Sequence, residues 1–269
     1  MVRILALVKN PDSYKSLPRL EPLLYRVIVI LDDAVALRLK DRLKCKSTAL
    51  WRDGPRLLFL SIQSDPNLAA EILSKFTGLE DLMLYCDRDR PREFMPQLEA
   101  MKLRRLGVDL GDLFGSHAHM DLSGPAFAHV THLLLMDSDI DGDAADIWVV
   151  QLAHLPALTY LALIDDAPAG IMLSILEQCT PLCVLVNLRS DFRRHTVQWL
   201  ACELRIEDPR FVILQLNMFT EDWEAGANGY EDFWARADEF VTKKRGGRSM
   251  IRKMVTALDK LEFGVSIQN

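Results

Sequence analysis

The chain has 269 residues, of which 49% are hydrophobic and 26% charged, with a formal net charge of −6. That suffices for one large domain or two small ones around an ample core, and the acidic balance argues against a general nucleic-acid binder. No run approaches the roughly 20 apolar residues of a membrane helix, and the apolar stretch Ile4 to Val8 is too short for a secretory signal core. Five cysteines (Cys45, Cys86, Cys179, Cys183, Cys202) stand at irregular spacing. An odd, irregular set is no disulfide framework. Cytosol or nucleus is the expected compartment.

Along the chain one short pattern recurs: apolar, two variable residues, apolar, one variable, apolar. It runs Leu57-Leu60-Ile62, Leu79-Leu82-Leu84, Leu98-Met101-Leu103, Val130-Leu133-Leu135, Leu158-Leu161-Leu163 and Phe211-Leu214-Leu216. Leu182-Leu185 begins another copy that meets Asn187, and a weaker one, Leu24-Val27-Val29, opens the series. The second and third apolar residues are two apart, so they share one face of a short strand. First positions lie 22, 19, 32, 28, 24 and 29 residues apart from Leu57 onward. Leucine-rich repeats run about 20–29 residues per unit.

Between these strands the sequence turns helical. Asp65-Pro66 before Leu68 to Phe76 reads as a helix start. Ala144 to Leu155, Ala169 to Cys179 and Phe192 to Leu204 are apolar at helical spacing. Tyr230 to Lys244 is an amphipathic helix with Phe233, Ala237, Phe240 and Val241 on one side. The expected fold is α/β: an irregular leucine-rich-repeat-like solenoid with a parallel sheet, helices on its convex side and a helical C-terminal cap. The solenoid takes residues 1–220, the cap and tail 221–269. The competing architecture is a doubly wound α/β domain, which also alternates strands and helices.

Residues alternating with the core positions line the concave face. They are mixed early (Phe59, Ser61, Asp81, Met83, Tyr85, Lys102, Arg104) and apolar later (Leu134, Met136, Tyr160, Ala162, Ile164, Val184, Val186, Leu188). An apolar patch of that size is unusual on a monomer. Either a partner binds it or the amphipathic tail covers it. On the first alternative Tyr85, Lys102, Arg104, Leu134, Met136, Tyr160 and Ile164 are the candidate binding residues.

Several segments imitate chemistry. Asp137, Asp139, Asp141 and Gly142 match the first half of a calcium loop, whose alternate oxygen ligands wrap one cation. The twelfth position is Trp148, where a bidentate Glu is required. The same run resembles the magnesium-holding acidic motif of topoisomerase-primase domains, without that family's earlier glutamate. His117-Ala118-His119-Met120-Asp121 resembles part of a metallo-β-lactamase-type motif, with Leu122 where the final His belongs. Cys179, Cys183 and Cys202 lack the paired spacing of a thiolate zinc site. Lys243, Lys244, Arg245, Arg248, Arg252 and Lys253 form a basic stretch that reads as a solvated helix end, a phosphate contact or a nuclear signal. No metal or cofactor is expected.

Phe127–Leu135 (FAHVTHLLL), Trp148, Leu155–Leu163 (LPALTYLAL), Asp222–Gly226 (DWEAG) and Asp232–Val241 (DFWARADEFV) together resemble a large group of uncharacterised proteins from mushroom-forming fungi. Many of these are similar to F-box proteins with leucine-rich-repeat-like C-terminal regions. Leu20–Ile30 (LEPLLYRVIVI) resembles the segment immediately after the F-box in that group. The F-box helices themselves are not found, which puts recruitment to a ubiquitin-ligase adaptor in doubt. The resemblance implies a non-catalytic scaffold for a protein partner, with no membrane or nucleic acid. The alternative is a metal-dependent enzyme or cation-binding protein using the Asp137–Asp143 loop. Convergence of two or more of Asp137, Asp139, Asp141 and His117 counts against the scaffold.

Overall fold

A computed structural model of the chain describes residues 21–62, 65–86, 94–137, 142–164, 167–189, 204–216 and 218–245. Eight strands form one sheet: β1 Val27–Ile30, β2 Leu57–Ile62, β3 Asp81–Cys86, β4 Arg105–Val108, β5 His132–Leu135, β6 Tyr160–Ile164, β7 Val184–Arg189 and β8 Phe211–Gln215. All pairings are parallel and the spatial order is the sequence order, β1 to β8. A doubly wound sheet reverses its strand order near the middle; this one does not.

Parallel neighbours need a crossover each, and helices supply most of them. Among the described residues α1 Glu21–Leu24 precedes β1, and the crossover helices are α2 Asp33–Cys45, α3 Thr48–Asp53, α4 Pro66–Leu73, α5 Met95–Glu99, α6 Leu110–Phe114, α7 Gly142–Ala153 and α8 Ala169–Gln178. Short polar side chains start them. Asp32, Ser47, Asp65 and Asp109 each accept a backbone N–H from the first turn of the following helix, satisfying donors that the helix cannot. The expected helices at Asp65-Pro66, Ala144 and Ala169 are α4, α7 and α8. The expected helix Phe192 to Leu204 lies, but for Leu204, outside the described residues.

Ladder pairing defines one register column through Ile28, Leu58, Leu82, Leu106, Leu133, Leu161, Leu185 and Phe211. These positions are 30, 24, 24, 27, 28, 24 and 26 residues apart, a narrower spread than that of the apolar pattern. Three copies of the pattern are out of register with the strands. The fourth strand is Leu103-Leu106-Val108, not Leu98-Met101-Leu103; the first places Ile28 and Ile30, not Val27 and Val29, against the helices; the last places Phe211 and Ile213 there, not Leu214 and Leu216. In β1 and β8 apolar residues occupy both faces, so an odd slip preserves the pattern while exchanging the faces.

Strands β2 to β7 all start with the same device. One carbonyl, two residues before the column position, accepts two consecutive N–H groups from the next unit at 2.7–3.2 Å. The acceptors are Arg26, Arg56, Glu80, Arg104, Thr131 and Thr159. The Thr131 and Thr159 hydroxyls add bonds to the carbonyls of Arg104 and Thr131.

The sheet is buried on both faces. The column residues pack with α2, α4, α7 and α8 in one core. On the other face Val29, Phe59, Met83, Leu134, Ala162, Val186 and Val212 pack with two C-terminal helices, α9 Phe219–Ala227 and α10 Phe233–Arg245. That second face is concave. Leu216 and Phe219 are three residues apart and reach at most about 11 Å, whereas a flat sheet holds β2 and β8 about 29 Å apart. Yet the Phe219 ring lies 6.2 Å from that of Phe59 in β2. Gly107 in β4 leaves room for the Met83 side chain to cross it; a Cβ there would sit 2.2 Å from the Met83 sulfur.

Truncating the central column checks this arrangement. Leu161→Ala, at a fully buried site, is expected to cost about 2–5 kcal/mol in urea unfolding. Leu173→Ala, on the outer side of α8 at 49% exposure, is expected to stay within about 1 kcal/mol.

Candidate functional site

Three places gather polar groups: the seam between cap and sheet, the carboxyl ends of β4 and β5, and the rim where the strands begin.

The seam is a chain of aromatic and charged contacts. Trp223 of α9 packs edge-on against Phe59, and its indole N–H donates to the buried Asp81 carboxylate at 3.2 Å. Asp232 starts α10 by accepting from the Ala235 N–H, and its other oxygen accepts from Arg105 at 3.0 Å. Asp222 ties the two helices together through the Phe233 N–H and Arg236. Further along, His132 stacks on Tyr160 with ring centroids 4.3 Å apart, Trp234 stands edge-on to both, and the Tyr160 hydroxyl donates to Asp238. Lys244 and Arg245 donate to the Phe211 and Cys183 carbonyls, fastening the end of α10 to β8 and the start of β7. Asp81, Arg105, His132, Trp223 and Asp232 also line a small cavity, about one water molecule in size.

Burial governs the protonation here. It pushes Asp81 up to about 6 against the opposing field of Arg105. It pushes His132 down to about 3, helped by Arg105 and Arg104. Burial and the Asp238 hydrogen bond push Tyr160 up to about 12.

At the strand ends, Asp137 is buried behind β5 and accepts from the Leu110 N–H, the Gly111 N–H and His117 Nε2 at 2.8–2.9 Å. His117 sits edge-on to Trp148 of α7. The hydrogen bond to Asp137 raises its pKa. Asp109 caps α6 alongside; burial and the facing Asp137 push it up to about 7. Thus Asp137 and His117, each conspicuous separately in the sequence, do meet, contrary to the scaffold expectation. His119 and Asp121 are exposed, and Asp121 bonds Ser123 instead. Asp139 and Asp141 lie outside the described residues. Among the described residues no group of three His, Cys, Asp or Glu is placed to hold a metal ion. Cys179 is buried, with its thiol pushed up to about 11 by burial, Cys183 is half-buried, and Cys202 lies outside the described residues.

The seven candidate binding residues separate. Leu134 is 1% exposed beneath the cap and belongs to the second core. Met136, Tyr160 and Ile164 are half-buried at the margins of that core. Tyr85 is exposed. Lys102 and Arg104 are exposed but precede β4, so they stand on the rim and not on the concave face; Arg105 takes the concave position instead. Sequence reasoning did not single out Arg105, His132, Trp223 or Asp232 as a set. The available signal was Asp81, a carboxylate beginning an apolar strand.

Comparison of the chain with family models, curated proteins and solved structures finds no match.

The seam carries two opposed pH effects. His132 is neutral in the fold, so its contribution is present above its unfolded value of 6.5 and is lost as pH falls toward about 3. Asp81 destabilises when ionised, and that cost disappears as pH falls from about 6 toward 3.8. Between about pH 4 and 6 the two slopes oppose each other. Denaturant melts of His132→Phe are expected to gain stability relative to the parent on acidification through this window. Asp81→Asn is expected to gain relative to the parent at pH 8 and not at pH 4. Parallel pH profiles for parent and variants would refute the assignment.

Proposed function

We propose that the chain is a non-catalytic protein-interaction scaffold: a short leucine-rich-repeat-like solenoid whose concave face is filled by its own C-terminal cap. The carrying observation is the unbroken order of parallel units, with β2 to β7 each starting on the same two-donor carbonyl. Such an array displays equivalent positions of successive units in columns, which suits recognition of an extended surface. The Asp137–His117 pair counts against this reading, although it also has a structural role. Asp137 accepts two backbone N–H groups and the imidazole N–H, so it anchors α6 and the following turn onto β5. This reading needs no cofactor, and no helix among the described residues is long and apolar enough to cross a membrane. It also suits a substrate-receptor-like role of the kind the F-box resemblance implies, in the cytosol or nucleus.

The side of the scaffold left open by the cap is the carboxyl-end margin of the concave face, where Tyr85, Met136 and Ile164 stand. Capture from native extract is the test, comparing the parent with a Tyr85→Asp/Ile164→Asp variant first shown to fold by its thermal melt. A defined partner retained by the parent and lost from the variant is expected. Recovery of the same proteins on both, or of none beyond an empty matrix, refutes the reading.

The meeting of Asp137 and His117 is also the observation that favours the cation-binding alternative. A stoichiometric divalent metal in the purified protein, or a melting temperature raised by calcium, magnesium or zinc, would replace the scaffold with that alternative. A metal-free protein with an unchanged melting temperature is expected.

A further inference from the structure

We infer that the rim where the strands begin, built on Arg26, Arg56 and Arg104 with Lys102 and Arg105 beside them, docks an acidic segment of a partner protein. The inference deepens the scaffold reading and rests on it.

The repeating carbonyl device fixes this rim. Residues 26, 56, 80, 104, 131 and 159 are the successive acceptors, so their backbones are hydrogen-bonded into one column running across the strands. The first four carry charge: Arg26, Arg56, Glu80 and Arg104. Neighbouring strands lie about 4.8 Å apart, which puts Arg26 next to Arg56 and Arg104 two strands further on. Glu80 is already bridged to Arg56 at 3.3 Å. Arg26, Lys102 and Arg104 are exposed, and the Lys102 and Arg104 side chains have no partner among the described residues. Arg105 commits one nitrogen to Asp232 and stays 38% exposed. The combined field reaches inward: Arg105 and Arg104 both lower the basicity of His132.

This cationic rim belongs to a chain of net charge −6. A long polyanion such as a nucleic acid would meet the repulsive remainder of the surface. A short carboxylate-bearing segment lying along the column would meet only the rim. Exposed ion pairs each contribute little, so the column acts through several of them at once, setting register and association rate.

The probe is a fluorescein-labelled dodecapeptide of alternating Glu and Ser, titrated into the full chain at low and high salt and followed by anisotropy. Saturable one-to-one binding that weakens with salt is expected. Lys102→Glu/Arg104→Glu should weaken it by about tenfold or more. Arg38→Glu/Arg42→Glu, the same charge change on the exposed side of α2, should weaken it by less than about twofold. Absence of saturable binding at low salt overturns the inference. So does equal loss in the two variants, or tighter binding of a single-stranded oligonucleotide of the same charge. Thermal melts confirm that the variants fold; if the reversal does not, Lys102→Gln/Arg104→Gln replaces it, with a smaller loss expected and no loss overturning the inference. Failure here with partner capture intact removes only the acidic segment, whereas failure of capture removes the scaffold.

Discussion

The structure depends on covering a sheet that is apolar on both faces. Crossover helices cover one face of a parallel sheet, since each strand must be linked to the next over that side. They do nothing for the other face, which here presents Val29, Phe59, Met83, Leu134, Ala162, Val186 and Val212. Left open, that face would be a large exposed apolar patch. The chain closes it with α9 and α10, which insert Trp223, Phe233, Trp234, Ala237 and Val241. The curvature of the sheet and its cover are therefore linked: the concavity lets a three-residue connection from β8 bring α9 against β2.

Polar groups set the alignment of that cover. Apolar packing is non-directional, so two amphipathic helices on a smooth face need contacts that distinguish one placement from another. The Trp223–Asp81, Arg105–Asp232 and Tyr160–Asp238 bonds act at three separate strands. The first two involve the buried carboxylates of Asp81 and Asp232, whose burial would be costly if unpaired. A cap shifted by one strand would lose all three partners together. Asp81 is the member whose burial is least compensated, since its pKa stays raised despite Arg105 and the indole N–H.

Much of this was legible in the sequence, and the reasons for the remainder are physical. At Leu82-Leu84, which follows Glu80-Asp81, and at Leu133-Leu135, which follows Thr131-His132, a polar pair marks the strand start, and the pattern specified both strand and register. In β1 and β8 both faces are apolar, and the face assignment was inverted. At β4 the true Leu103-Leu106-Val108 fits the pattern in full, but Leu98-Met101-Leu103 of the preceding segment fits it too and shares Leu103. The amphipathic tail was legible because its apolar residues recur at helical spacing. Its polar clasp was not, because Trp223 and Asp81 are 142 residues apart, and nothing local in either segment marks the pairing. The same holds for His117 and Asp137, each conspicuous alone but joined only by the fold.

Once both faces of the sheet are consumed, its rims are what the two layers leave uncovered. The carboxyl-end rim carries Asp109, Asp112 and Asp137 close together, and their geometry turns inward: Asp109 and Asp137 serve the start of α6, and His117 closes the group. The opposite rim turns outward. Its backbone carbonyls are occupied by the next unit's N–H groups, which fixes the column, while Arg26, Lys102 and Arg104 are exposed and Arg56 turns to the Gly78 carbonyl and Glu80. A repeating backbone bond thus spaces the side chains at the strand interval without specifying them. Arg26, Arg56, Glu80 and Arg104 at the early positions give way to Thr131 and Thr159, whose hydroxyls fold back onto the preceding carbonyls. The charged part of the column therefore stops at Arg104, at the fourth of the eight strands.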